Sequence, residues 1–321
     1  MEVAAGIHRI DAPLGDRLCA MYLLVGTERA ILIDTGVAGN VEAYVLPYLA
    51  SIGVEPGRVR LILISHSDVD HSGDTEAALS AFPGALLTCH RADAAEINDV
   101  EVIISQRYGQ FATDHGISDP PEATQWVRNA VRSVPVHLEL TGDERLRLAP
   151  GWAVEILHTP GHSLGHVTVW DPRCRAAIIL DAALGRTVPT ADGKPAFPPT
   201  YRYVGPYRET LAKIEALEFE YLLASHEPVM DRAAGQAFLA ASRAFTDEAN
   251  AAILALLRAE GPLSTRDVLT KVGPELGPWP LETTLSALAF PLVGHLEHLE
   301  AIDQIHSIRG RDGLMIWQAT K

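Results

Sequence analysis

Four short apolar runs in this 321-residue chain each stop at a side chain that binds metal ions, and this repeated placement constrains the fold more than any other feature. The first, Leu61-Ile-Leu-Ile64, passes through Ser65 into His66-Ser-Asp68-Val-Asp70-His71. A β-branched apolar stretch of that length reads as a buried strand. Imidazole nitrogens and carboxylate oxygens are the usual ligands of Zn²⁺ or Fe²⁺. The run Trp152–Leu157 leads into His158-Thr-Pro-Gly-His162, where Pro160 and Gly161 force a turn that leaves His162 at its tip. Cys174–Leu180 ends at Asp181, and Tyr221–Ser225 ends at His226. One polar loop rich in His and Asp is an ordinary accident. Four strands delivering ligands at the same end describe a sheet edge that assembles a binuclear site.

Composition agrees. A chain of this length suits one large domain and a small one, and with 47% hydrophobic residues it can bury a full core. The net charge of −15 opposes a nucleic-acid footprint, which needs a basic face. A small anionic substrate is still compatible, because bound cations dominate their local field. Cys19, Cys89 and Cys174 all lie in apolar runs and read as buried free thiols of a reduced compartment. No run has the length of a membrane helix, and the N-terminus lacks the basic-then-apolar pattern of a secretion signal, so a cytoplasmic location is expected.

With these motifs in order, the chain resembles the metallo-β-lactamase-fold superfamily, which includes glyoxalase II, lactonases, ribonuclease Z and the flavodiiron proteins. The resemblance spans roughly residues 6 to 230 and rests on Leu32-Ile-Asp34-Thr-Gly36, the His66–His71 cluster, Thr159-Pro-Gly-His162, Asp181 and His226. It implies an α/β fold, an αββα sandwich with metals at one sheet edge. It assigns His66, Asp68 and His162 to a first metal, Asp70, His71 and His226 to a second, and Asp181 to a bridge between them. The cofactors implied are two divalent metal ions, zinc first, with iron or manganese as alternatives. Asp34 is expected to support the ligand loop rather than bind metal.

The chain departs from the hydrolytic members at one position, where His-x-His-x-Asp-His becomes His66-x-Asp68-x-Asp70-His71. Iron-using members resemble His-x-Glu-x-Asp-His, and aspartate is one methylene shorter than that glutamate. A carboxylate ligand makes the site harder and more anionic, which favours Fe or Mn over Zn and raises the pKa of a bound water. If Asp68 does not bind, the first metal is weak and the enzyme works with one. The residues leave both readings open.

Residues 93–133 interrupt the strand rhythm with helical character at Val100–Tyr108 and Glu122–Arg132. As an insertion above the metal edge, this segment would offer Tyr108, Phe111, His115 and Trp126 to a substrate pocket. Residues 182–207 follow Asp181 directly, so Arg186, Tyr201 and Tyr203 are further substrate-binding candidates. Helices are also expected at Val41–Ile52, at Gly73–Ala81 directly after His71, and at Pro206–Leu217. His90 is expected to be structural.

The domain division falls at 243/244. Residues 244–321 read as three helices and a closing hairpin, resembling a winged-helix module. DNA binding is opposed by charge, since residues 245–321 hold six Lys/Arg against ten Asp/Glu, a net of −4. The third helix carries Glu282, Glu297 and Glu300 and no basic residue. A packing or dimerising role, with one wall of the active site, is the better expectation. His295, His298 and His306 read as solvated. The function expected is a metal-dependent hydrolase of an ester, thioester, lactone or phosphodiester, attacked by hydroxide held on the metals with Asp70 orienting it. The alternative is a diiron protein handling oxygen or nitric oxide. The expected partners are a small-molecule substrate and a second copy of the chain, with neither nucleic acid nor membrane.

Overall fold

The computed structural model describes residues 1–320. Its first sheet holds seven strands in sequence order: β1 (Glu2–Ala4), β2 (Ile7–Leu14), β3 (Arg17–Val25), β4 (Ala30–Ile33), β5 (Val59–Leu63), β6 (Leu86–His90) and β7 (Leu138–Leu140). Pairing is antiparallel from β1 to β4 and parallel from β4 to β7. The second half adds β8 (Arg145–Ala149), β9 (Trp152–His158), β10 (Val167–Asp171), β11 (Ala176–Leu180), a hairpin of β12 (Val188–Pro189) with β13 (Pro195–Phe197), then β14 (Tyr221–Ala224) and β15 (Met230–Asp231). Six of these form the second sheet, in the order β15-β14-β11-β10-β9-β8.

The central strands are apolar on both faces, and the two-residue side-chain period sorts them into separate cores. In β3, Ala20, Tyr22 and Leu24 point between the sheets, where they meet Val154, Ile156, Val169 and Ile178. Met21 and Leu23 point the other way, onto the helical layer of Val41, Val45, Leu49 and Ala78. Behind the second sheet, helices Val204–Glu215 and Arg232–Glu260 cover its outer face. Helix, sheet, sheet, helix is the αββα order expected.

The helix expected at Gly73–Ala81 is present but begins two residues later, and a separate turn precedes it. A short turn, Val69–Ser72, contains Asp70 and His71, and a second helix runs Thr75–Ala81. Asp74 leaves helical geometry between them and accepts a hydrogen bond from the Val41 amide (2.7 Å).

The expected boundary at 243/244 lies inside one continuous helix, Arg232–Glu260. Beyond it come the short strand β16 (Leu263–Ser264), helix Thr265–Leu276, opened by a reciprocal cap between Ser264 and Asp267, and helix Leu281–Ala301. The closing hairpin of β17 (Ile305–Arg309) and β18 (Met315–Ala319) pairs with β16. These elements share one core with the helices behind the second sheet. Trp317 joins them to the insertion: its Nε1 donates to Thr265 Oγ1 (2.9 Å), and its ring stacks 6.4 Å from His115. Trp317→Ala is expected to cost about 3–5 kcal/mol, read as a fall in the denaturation midpoint. Among the described residues no helix is long and apolar enough to cross a membrane.

Candidate metal centre

The ligand candidates converge because three loops leave the C-terminal ends of strands on the same side of the sandwich. β5 releases its chain through Ile64 and Ser65 into His66; β11 ends directly at Asp181; β14 ends two residues before His226. Backbone geometry is unusual at the end of β11 and just after β4. Leu180 and Asp34 have φ of +48° and +60°, where a side chain is strained. Gly161, in the loop before His162, meets Tyr207 so closely that a Cβ would lie 2.5 Å from its Cα. Only glycine allows that turn to sit on the helix beneath it.

Five donor atoms of four residues face one another. His226 Nε2 lies 3.4 Å from Asp181 Oδ2 and 3.6 Å from Asp70 Oδ2. His71 Nε2 lies 3.7 Å from both Asp70 Oδ2 and Asp181 Oδ1. Tetrahedral donors about 2.1 Å from a shared cation stand about 3.4 Å apart, so these separations fit a metal and exceed hydrogen-bond length. His66 Nε2, His71 Nε2 and Asp181 Oδ1 are buried without a hydrogen-bond partner, and the three lie within 4.8 Å of one another. Buried polar atoms without partners are costly. A divalent cation would satisfy all three, so the residues fit the group the motif implies.

The rings are held from behind. Asp34 Oδ2 accepts from His71 Nδ1 (2.7 Å), while its carboxylate also accepts from the Ser65 amide (2.7 Å) and Ser65 Oγ (2.8 Å). His226 Nδ1 donates to the Leu18 carbonyl (2.7 Å). These contacts fix the tautomers that leave Nε2 free toward the centre. Asp34 has the supporting role expected of it. Asp34→Ala is expected to weaken zinc affinity about 10–100-fold, measurable by competition with a chelating dye.

Charge explains the titration behaviour. Burial pulls His71 down, but Asp70 and Asp181 outweigh it and hold its pKa well above the ordinary value. His226 is raised for the same reason, its burial outweighed by Asp181. Burial opposes the ionised form of Asp181 as well, yet His226 and His71 hold that carboxyl well below the usual range. A metal here displaces protons from imidazoles, so its affinity rises with pH.

Asp68 stands apart. Arg107 Nε donates to its Oδ1 (2.5 Å) and Nη2 to its Oδ2 (2.7 Å), a two-pronged pair in a buried setting. Tyr108 adds a hydroxyl hydrogen bond to Oδ1 (3.1 Å). Burial would raise this carboxyl, but Arg107 holds it well below the usual carboxylate range. Arg107 comes from the wide helical turn Ile103–Tyr108 in the insertion. Turns of this kind recur at functional sites.

The centre opens into a cavity of about 230 Å³ lined by Asp70, Asp181, His226, Arg107 and Tyr108 on its polar side. Trp126, Val127 and Phe197 contribute apolar wall, and Ala287 and Phe290 bring in the C-terminal module as the remaining side. Of the pocket residues expected from the insertion, Tyr108 and Trp126 line the cavity. Phe111 and His115 do not: Phe111 packs edge-on to Phe290 (5.0 Å), and His115 Nδ1 bonds Thr265 Oγ1 (2.8 Å).

Three other expected substrate contacts are corrected. Arg186 pairs with Glu248 on the surface (2.8 and 2.5 Å). Tyr201 is buried, stacked on Tyr207 at 4.2 Å with its hydroxyl against His295 Nε2 (2.7 Å). Tyr203 lies beneath the Arg202 guanidinium and lines no part of the cavity. Each follows Asp181 in sequence, but the Gly185 amide ties the chain to Ser242 Oγ (2.9 Å) on the long helix, and the segment lines the cavity through Val188, Phe197 and Thr200 instead. His295, expected in solvent, is fully buried between Tyr201 and Asn250. His90 stacks on His158 (4.1 Å) outside the centre.

Arg107 and Cys19 carry no motif in the sequence. All three cysteines are free. Cys19 Sγ donates to the Asp70 carbonyl (3.1 Å) and sits with Asp70 and His71 as a third donor behind the centre.

Comparison with known proteins bears on this arrangement. A family profile described as the metallo-beta-lactamase superfamily matches residues 14–226. A metallo-beta-lactamase family protein from Thermus thermophilus is similar in structure at a TM-score of 0.75 and 21% identity, covering 99% of this chain and 100% of that one. A beta-lactamase domain protein from Burkholderia ambifaria gives 0.77 at 17% identity, with 100% and 94% covered. A superfamily protein from the archaeon Sulfolobus tokodaii gives 0.56 at 18%, covering 73% of this chain and 84% of its own. The first two extend over the C-terminal module as well.

Proposed function

The chain belongs to the metallo-beta-lactamase superfamily, whose members are mostly metal-dependent hydrolases, and from that premise we propose that it hydrolyses an ester, thioester or lactone of an apolar acyl group. The observation that carries this reading is that the imidazoles of His71 and His226 face the carboxylates of Asp70 and Asp181 at 3.4–3.7 Å, three of these four residues lining a largely apolar cavity. Residues His71, Asp70, Asp181 and His226 would hold the cation, with His66 beside them. Such a cation supplies Lewis acidity, making a water more acidic and polarising the scissile carbonyl.

The chain's own residues supply the rest. Asp70 lies at the cavity floor, where its carboxylate can accept the proton of the attacking water and return it to the departing alkoxide or thiolate. Asp34 keeps His71 oriented throughout. Trp126, half exposed at the cavity wall, and Phe290 offer apolar surface to the acyl chain and exclude water from the reacting carbonyl. The cavity wall is mostly apolar, with Arg17 and Arg107 as its basic side chains, and this balance suits an acyl substrate. The diiron alternative depended on a carboxylate ligand at position 68. With both Asp68 oxygens held by Arg107, no observation favours it.

The test is a panel of esters, thioesters, lactones and phosphodiesters given to chelator-stripped protein and to protein reloaded with zinc, iron or manganese. Reloaded protein is expected to cleave an acyl substrate that stripped protein leaves intact. Equal activity in stripped protein, or cleavage confined to phosphodiesters, would contradict the proposal.

A further inference from the structure

We propose that the Arg107 guanidinium takes the place of the first of the superfamily's two cations, so that this chain binds a single metal ion beside a built-in organic one. The inference rests on the metal site proposed above and concerns its number and charge. By position, the first cation would be held by His66, residue 68 and His162. These three do meet, with donor atoms inside 4.8 Å of one another. Their spacing is not that of ligands around one ion. Asp68 Oδ2 and His162 Nε2 are 2.8 Å apart, a hydrogen bond, whereas donors sharing a cation stand about 3.4 Å apart. Arg107 Nη2 lies 2.7 Å from the first and 3.1 Å from the second. It is therefore within bonding distance of two of the three atoms a metal would need.

The guanidinium is fixed from several directions. Its Nη1 donates to the His162 carbonyl (3.2 Å), its Nε holds Asp68 Oδ1 (2.5 Å), and its carbon lies 5.2 Å from the centre of the Phe290 ring. Tyr108, the next residue, grips the same carboxylate. Five N–H donors in a planar fork match a carboxylate, and the charge does not titrate away. Of the two imidazoles, His66 Nε2 stands 3.6 Å from Asp68, while His162 hydrogen-bonds it. With Nε2 committed there and Nδ1 buried without a partner, it is the ring that contributes least to a metal site. The aspartate at position 68 and Arg107 thus act as a pair: the carboxylate stands where a fixed cation meets it. The consequence is an asymmetric centre. The metal at His71, Asp70, Asp181 and His226 can be removed by a chelator; the positive charge at the cavity edge cannot.

The experiment counts metal directly. Full-length protein is stripped with a chelator, titrated with zinc in a calorimeter, and the washed protein is assayed by elemental analysis. Wild-type chain is expected to hold one zinc, and the double variant Asp68→His with Arg107→Met two. Two zinc ions per wild-type chain would overturn the inference while leaving the hydrolase reading intact. No zinc at all would overturn both. A folded double variant that still holds one would show that Arg107 is not what fills the first position. If that variant fails to fold, the wild-type count alone decides.

Discussion

Replacing Arg107 with alanine is expected to cost the metal-free protein about 3–5 kcal/mol of folding stability, the usual penalty for removing one partner of a buried ion pair. The size follows from what is left behind. Asp68 would keep its charge in a buried setting, with the His162 imidazole and the Tyr108 hydroxyl as its remaining partners. Removing both members, as in Asp68→Asn with Arg107→Ala, is expected to cost less than Arg107→Ala alone. Denaturant titration of the four proteins in a double-mutant cycle would display the coupling. A further signature separates this site from an ordinary ion pair. Arg107→Ala frees the Asp68 carboxylate beside His66 and His162, so excess zinc should restore part of the lost stability. A ligand at a hundredfold its dissociation constant returns about 2.7 kcal/mol. Additive losses in the cycle, with no zinc rescue, would mean that Asp68 and Arg107 are not partners.

The second large effect is expected at His71. His71→Ala should abolish zinc retention and reduce hydrolysis by more than the about 10²–10³-fold that one oxyanion donor is worth. Both activation of water and polarisation of the carbonyl depend on the same ion. His71 joins the centre to its support, Nε2 facing Asp70 and Asp181 and Nδ1 bound to Asp34. The variant also leaves the Asp34 carboxylate buried with only Ser65 as donor, so folding must be checked by circular dichroism alongside activity. A folded His71→Ala protein that keeps its zinc would remove His71 from the ligand set.

The ligands were legible because their signal is local. An apolar run of four to six residues is a strand, its C-terminal end is a fixed point, and a His or Asp in the next few positions inherits that placement. β5, β11 and β14 each obey this rule. Arg107 was not legible because it reaches the centre from an insertion with no motif, 39 residues beyond its partner. A signal existed all the same. An aspartate among metal-type histidines demands a buried counter-charge, and the segment that follows holds several arginines; sequence alone does not say which one turns inward. Arg186, Tyr201 and Tyr203 show the reverse error. They lie in the segment after Asp181, yet the residues of that segment that reach the cavity are Val188, Phe197 and Thr200, while Arg186 is held by Glu248 and Tyr201 by His295. The boundary at 243/244 failed for another reason. Composition changes there, but nothing in Ala240–Asn250 breaks a helix, and Arg232–Glu260 runs straight through.

The expectation that the C-terminal module would wall the active site rested on composition alone, as an alternative to DNA binding. The packing supplies the reason: helix Leu281–Ala301 lies against the insertion through Phe290 and Phe111, and its Ala287 and Phe290 close the cavity. Glu297 on the same helix holds Arg202 by two hydrogen bonds (2.6 and 2.8 Å). That spends one of the acidic groups that made this helix a poor match for a nucleic-acid groove.

Hydrolysis by this chain requires that donors scattered from position 70 to position 226 surround one cation. A crystal of zinc-loaded protein, measured at the zinc absorption edge, gives the sharpest check. One strong anomalous peak is expected, about 2.0–2.2 Å from His71 Nε2, His226 Nε2 and oxygens of Asp70 and Asp181. Absence of a peak among those four side chains in a crystal soaked to zinc saturation would refute the assignment.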